Sequence, residues 1–126
     1  MGYLFEHQDK AVWSPSRVVA ELFLTEVRYM EGRLAVPSGL TEYMSDTIEI
    51  DFEALSRYLQ ALRKWLNLEN NSVRMLIRGV VVHLLALLVC GDGLADEVAH
   101  IYPEDWVDEA RSLARSNMIS AETTSP

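Results

Sequence analysis

One cysteine, Cys90, is all the sequence carries. An internal disulfide is thereby excluded, and the chain is read as the product of a reducing, cytoplasmic compartment. Positive charge is scarce too: 11 Lys and Arg stand against 19 Asp and Glu, a formal net charge of −8. The basic residues form no run. Nucleic acid and anionic membrane are therefore not expected as partners, because both are held by clustered Lys and Arg. A long hydrophobic run is also missing. The nearest to one, Gly79–Cys90, holds His83 and falls short of the ~20 apolar residues that span a bilayer, so it reads as a buried helix. The N-terminus, Met1 to His7, has neither a basic start nor an apolar stretch, and no signal peptide is expected.

Cofactor signatures are equally sparse. The chain has no Cys-x-x-Cys and no His-Glu-x-x-His. Glu97 and His100 have Glu-x-x-His spacing, but a carboxylate-bridged metal pair needs a second such motif on another helix. Gly91-Asp92-Gly93 follows a helix and places an acid where a phosphate would need amides, so it reads as a helix stop. No metal and no cofactor are expected.

What the sequence has is apolar periodicity. Its 126 residues, 49% of them hydrophobic, suffice for one core. Tyr3–Phe5 and Ala11–Trp13 flank Gln8-Asp9-Lys10 and read as a short hairpin or arm. Ser14-Pro15 then opens a first helix, with Ser14 as its cap. Val18, Val19, Leu22, Phe23, Val27, Met30 and Leu34 recur along it at helical spacing, up to the turn Pro37-Ser38-Gly39. Residues 40–51 look irregular, apart from the alternating Thr47–Ile50, a candidate strand beside the arm. Asp51 caps a second helix with the stripe Phe52, Leu55, Leu59, Leu62 and Leu66. Asn70-Asn71-Ser72 caps a third, Val73–Cys90. A short helix within Leu94–Ile101 and another from Pro103 to about Arg115 complete the domain. The expected fold is mainly α: a single-domain bundle of four to five helices around the central apolar helix, with a small N-terminal β-hairpin or arm. Residues 1–115 form that domain, and residues 116–126 read as a polar, flexible tail. Its core is expected to include Val19, Leu22, Phe23, Leu55, Leu59, Leu62, Val80, Leu84 and Leu87.

The central helix poses the sharpest question. At about 100° per residue, Arg74 and Arg78 share one face and His83 lies opposite, one turn from Gly79. Glycine inside a helix costs about 1 kcal/mol relative to alanine, so Gly79 marks a close approach or a cavity. His83 is then a hydrogen-bonded core residue or a pocket residue able to move a proton. Cys90 is about 10 Å further along the helix, too far for a Cys-His pair, and reads as packing.

Two acidic clusters stand out. Asp46 and Glu49 flank the candidate strand near Tyr43. They either tie down backbone or join His83 as acid/base groups, with Trp13, Tyr43, Trp65 and Gly79 lining a pocket. The second cluster runs from Asp92 to Glu109 without a Lys or Arg. There Tyr102 and Trp106 would anchor a basic partner, with Asp105, Asp108 and Glu109 supplying the negative field; alternatively this is only a solvated face.

Trp13-Ser14-Pro15-Ser16, Pro37-Ser38-Gly39 and Ser45-Asp46-Thr47-Ile48-Glu49-Ile50-Asp51-Phe52 resemble the motifs of a small uncharacterised actinobacterial family, a domain of unknown function. Ser14 stands where that family has Asn, and the likeness covers about residues 1–90. It implies a bacterial origin and no activity, and it brings Trp13, Asp46 and Glu49 forward. Three functions fit these residues. The first is an acidic cytoplasmic protein-interaction module, immunity- or antitoxin-like, for a basic partner protein. The second is a small cofactor-independent enzyme or binding protein for an apolar metabolite in bacterial secondary metabolism, using His83 with Asp46 or Glu49. The third is a homo-oligomer joined through the central helix.

Overall fold

A computed structural model describes residues 2–92 and 96–118 of the chain, with the side chains of residues 92, 96 and 97 left outside that description. Among the described residues, two β-hairpins join into one sheet. Strand β1 (Leu4–His7) turns back into β2 (Lys10–Trp13). Gln8 and Asp9 make the turn with φ of 50° and 67°, the left-handed geometry that matches the twist of a two-residue hairpin. Strands β3 (Leu40–Met44) and β4 (Thr47–Ile50) form the second hairpin. Its inner strand β4 pairs in parallel with β1, Phe5 opposite Ile48, so the strand order is β2-β1-β4-β3.

This mixed four-stranded sheet makes the fold α+β and overturns the expected helical bundle with a small hairpin. The physical reason lies in β3. Only Leu40 of its five residues is buried, so it lacks the alternation that marks a strand. The β1–β4 pairing, more than forty residues apart in sequence, joins the candidate strand Thr47–Ile50 to the arm as expected. No local signal marks it as parallel or as the centre of a four-stranded sheet.

Helix α1 (Arg17–Leu34) connects the hairpins. Its cap is Ser16, whose Oγ accepts from the Val19 amide at 3.3 Å, and not Ser14. The Pro15 carbonyl is taken up by the Tyr3 amide, which fixes the arm before the helix begins. At its other end, burial pushes the Glu31 carboxyl pKa up. The Ser38 hydroxyl and amide (2.6 and 2.8 Å), together with Arg28, outweigh that and hold it below the usual carboxylate range. The left-handed Gly39 (φ 84°) follows and leads into β3.

Helix α2 (Phe52–Leu68) is capped by Asp51, whose carboxylate accepts from the Ala54 amide at 3.1 Å. Its expected stripe, Phe52, Leu55, Leu59, Leu62 and Leu66, is buried throughout. Helix α3 (Asn71–Asp92) runs through the middle, with Val81, Val82 and Leu84–Leu88 buried between α2 and α5. It is long and apolar enough to cross a membrane by length and composition, and half of it is buried inside the domain. The single turn α4 (Asp96–Ala99) and helix α5 (Glu104–Asn117) close the fold. Helix α5 runs two residues beyond the expected boundary at Arg115. The expected tail past residue 118, and the side chain of Glu97, lie outside the described residues.

Two expected core residues are not in the core. Val19 and Leu22 are exposed, Leu22 by 66%, while α1 buries Ala20, Phe23, Val27 and Met30. The apolar arc of α1 is wider than its contact with the sheet and α3. The surplus overhangs a groove.

Cys90 is buried, and burial pushes its thiol pKa up to about 11. Iodoacetamide at mildly alkaline pH is therefore expected to leave the native protein unmodified and to label it fully in urea. Rapid native labelling, followed by mass spectrometry, would show that this end of α3 opens.

Candidate functional site

The groove lies between α1 and α3, beside the outer end of β2. Trp13, Val19, Leu22, Phe23, Glu26, Leu76, Gly79, Val80 and His83 line it, and its volume is about 290 Å³. It is apolar and open along its length. Leu76, at its rim, is 83% exposed, and Val18 and Met75 beside the lining residues are largely exposed as well. Apolar side chains gathered at one place on a surface mark contact sites. The floor is Gly79: a Cβ there would meet nothing within 4 Å. Its absence widens the groove and lets a backbone approach α3 closely. Gly79→Ala is expected to raise stability by about 0.5–1 kcal/mol, read as a higher urea midpoint with unchanged slope. A lower midpoint would mean that this floor is packed in solution.

His83 forms the inner wall. Its Nδ1 lies 2.7 Å from the Gly79 carbonyl oxygen, one helical turn back. Trp13 and Phe23 flank its ring at centroid distances of 5.4 and 6.2 Å. Those aromatics belong to a cluster with Phe5 that anchors the sheet to α1 and α3. Among the described residues, Glu26 on α1 is the one carboxylate lining the groove.

The other candidate residues are placed elsewhere. Asp46 occupies the β3–β4 turn at φ 64°, where it holds Arg17 at 2.9 Å and its carbonyl accepts from the Leu4 amide. The Glu49 carboxylate accepts from the Gln8 amide at 3.1 Å and stands 3.9 Å from His7. Both ride on or beside β4, two strands from β2, about 10 Å at the usual strand spacing. The structure therefore does not bring Asp46 or Glu49 to His83. Tyr43 is also distant from the groove. Its hydroxyl donates to the buried Glu6 carboxylate. That bond first, then burial and the charges of Glu6, Asp9 and Glu49, push the phenol pKa up to about 12. Trp65 packs on the core from α2. Of the four expected pocket residues, Trp13 and Gly79 meet, joined by His83.

The acidic C-terminal face has a different character from the one its sequence implies. Tyr102 and Trp106 are only 4% and 8% exposed. The Tyr102 hydroxyl donates to the Leu59 carbonyl at 2.6 Å, and the Arg78 guanidinium covers the Trp106 ring. Arg78 also pairs with Asp105 at 3.4 Å and Glu109 at 2.8 Å. Tyr102 is thus packed on α2 and Trp106 beneath Arg78 of α3, and one cation already answers two of the acids. Asp108 is exposed beside them. Among the described residues, no group of three or more His, Cys, Asp or Glu could hold a metal ion.

Fold and site together define a small α+β domain with an open apolar groove. The chain belongs to a family of unknown function, DUF6086, whose pattern matches residues 1–118 and so takes in α5 as well as the sheet. No curated protein and no solved structure matches the chain.

Leu22 and Leu76 are groove residues that the sequence left hidden, whereas Gly79 was expected on a pocket wall. A faint signal existed: the apolar arc of α1 was broader than one helix-packing stripe, and Leu76 sat on the His83 side of α3.

Proposed function

We propose that this chain is an acidic, cytoplasmic protein-interaction module that takes a basic amphipathic helix of a partner protein into the α1/α3 groove. The carrying observation is the groove itself, lined by Leu22, Leu76 and Val80, open at Gly79 and walled on one side by Glu26. An apolar groove between two helices, open to solvent, suits a row of side chains spaced along a third helix. Charge chooses among such helices. Among the described residues the lining carries one carboxylate, Glu26, and the net charge of −8 favours a cationic partner at encounter. The same charge opposes a second copy of this chain. Arg17, Arg28, Arg57 and Arg78 are already paired with acids of this chain, which leaves the field acidic.

An immunity- or antitoxin-like role, with the partner a basic toxin or enzyme, is the finer form of this reading, as is the actinobacterial origin. The alternative, an enzyme or carrier for an apolar metabolite, finds Trp13 and His83 together. Against it stand the openness of the groove and the placement of Asp46 and Glu49, which pair with Arg17 and the Gln8 amide and not with His83.

The test is selection from a displayed library of helical peptides as long as α1, 18 residues, panned at physiological ionic strength. Peptides with apolar residues at i, i+3 or i+4 and i+7, flanked by Lys or Arg, are expected to emerge and to bind with micromolar affinity or better. Enrichment of acidic peptides, or none at all, would overturn the proposal.

A further inference from the structure

We infer that the groove selects, among basic helices, those that carry a neutral hydrogen-bond donor where they cross His83. This inference rests on the docking reading above and names what that surface recognises. A carbonyl oxygen can only accept, so the 2.7 Å contact between His83 Nδ1 and the Gly79 carbonyl fixes the proton of the neutral ring on Nδ1. Nε2 then bears a lone pair. Trp13 and Phe23 lie beside the ring, tilted at 41° and 55° to it, and a flip would break the Gly79 bond. Among the described residues, no protein group bonds Nε2. Yet no buried side-chain nitrogen or oxygen among the described residues lacks a partner, so Nε2 is not sealed away and opens to the groove that His83 lines.

The Glu26 carboxylate on the lining is again an acceptor, whereas the indole N–H of Trp13 is a donor. At His83 itself the groove presents an acceptor. An occupant that covers it with apolar atoms alone strips water from Nε2 and returns nothing, a loss of roughly tenfold or more in affinity. Lys or Arg meets Glu26 at the rim. Against Nε2, deeper and beside two aromatic rings, the fitting group is flat and uncharged: an indole N–H, a hydroxyl or a side-chain amide.

Two measurements decide it. Nitrogen-15 NMR of the histidine rings in the free protein is expected to show His83 protonated on Nδ1 when neutral; the Nε2–H tautomer would overturn the inference without touching the docking reading. Next, one selected basic peptide is made in pairs that differ at the residue crossing His83: tryptophan against 2-naphthylalanine, and glutamine against leucine. The donor members are expected to bind wild type about tenfold tighter. On His83→Phe, which keeps an aromatic ring beside Trp13 and Phe23, that advantage should vanish. Equal binding of each pair to wild type, with both members lost on Leu22→Asp, would leave the docking groove standing and sink the donor requirement. If the advantage survives in His83→Phe, the donor meets some other group and the inference fails. If no basic peptide binds at all, the docking reading falls and this inference with it.

Discussion

Gly39→Ala is expected to cost about 3 kcal/mol of stability. Gly39 sits at φ 84°, and a Cβ there would lie 2.5 Å from the Asp51 carbonyl oxygen and 3.0 Å from the Leu55 amide nitrogen. A left-handed backbone alone costs a β-carbon about 1–2 kcal/mol. The overlap adds to that, because the atoms in the way are backbone and cannot rotate aside. They also belong to a cap: the Asp51 amide donates to the Gly39 carbonyl at 2.8 Å, while the Asp51 carboxylate starts α2. Any shift that relieves the clash therefore loosens β3 and the first turn of α2 together. Gly32→Ala is the matched control, since a Cβ at Gly32 meets nothing within 4 Å inside α1. Urea unfolding should place Gly39→Ala far below wild type and Gly32→Ala at or slightly above it. Equal midpoints for the two variants would show that the Gly39 turn is not formed as described.

Leu22→Asp combined with Leu76→Asp should have the converse signature, a folded protein that no longer binds. Both side chains are already mostly in water, at 66% and 83% exposure, so the substitutions remove little native burial and should leave the urea midpoint within about 0.5 kcal/mol of wild type. In a complex each leucine would become fully covered, a gain of roughly 1.5–3 kcal/mol apiece. Aspartate forfeits that gain and adds a carboxylate whose burial costs more unless it is paired. Some of the new charge would attract a basic helix, which limits the loss. Affinity for the selected peptides should still fall about a hundredfold or more. Fluorescence anisotropy beside circular dichroism separates the two effects. Unchanged affinity in a folded double variant would mean that the helix docks elsewhere.

How legible this was in the sequence differs from element to element. Helix α2 is fully legible: its five stripe residues serve one purpose, burial, and nothing competes with it. The Asp51 and Asn70 caps are likewise local chemistry and stand where expected, with the Val73 amide donating to Asn70 Oδ1 at 3.2 Å. Helix α1 carries two messages on one surface. Val18, Val19 and Leu22 are as apolar as Phe23 and Val27, so periodicity merges the groove with the core and misplaces the phase. Strand β3 is illegible because four of its five residues face water.

The site was half legible, for the same reason. Gly79 and His83 lie one turn apart on one helix, so their proximity follows from helical geometry alone. That Trp13 joins them depends on a sheet whose central parallel pairing the pattern cannot announce. Asp46 and Glu49 drew notice as a pair of acids, whereas their observed partners, Arg17 and the Gln8 amide, are backbone and loop anchors. On the C-terminal face, Arg78 lies far in sequence from Asp105 and Glu109. No local reading of the acidic stretch could count it.

The central claim is a location: a basic helix docks between α1 and α3. Methyl NMR of the full chain, titrated with one selected peptide, tests it most directly. Shifts confined to Val19, Leu22, Leu76 and Val80, with the His83 ring moving alongside, are the expected result. Shifts centred on Val107 and Leu113 of α5, around Asp105, Asp108 and Glu109, would contradict it and move the binding face to the acidic C-terminal helix.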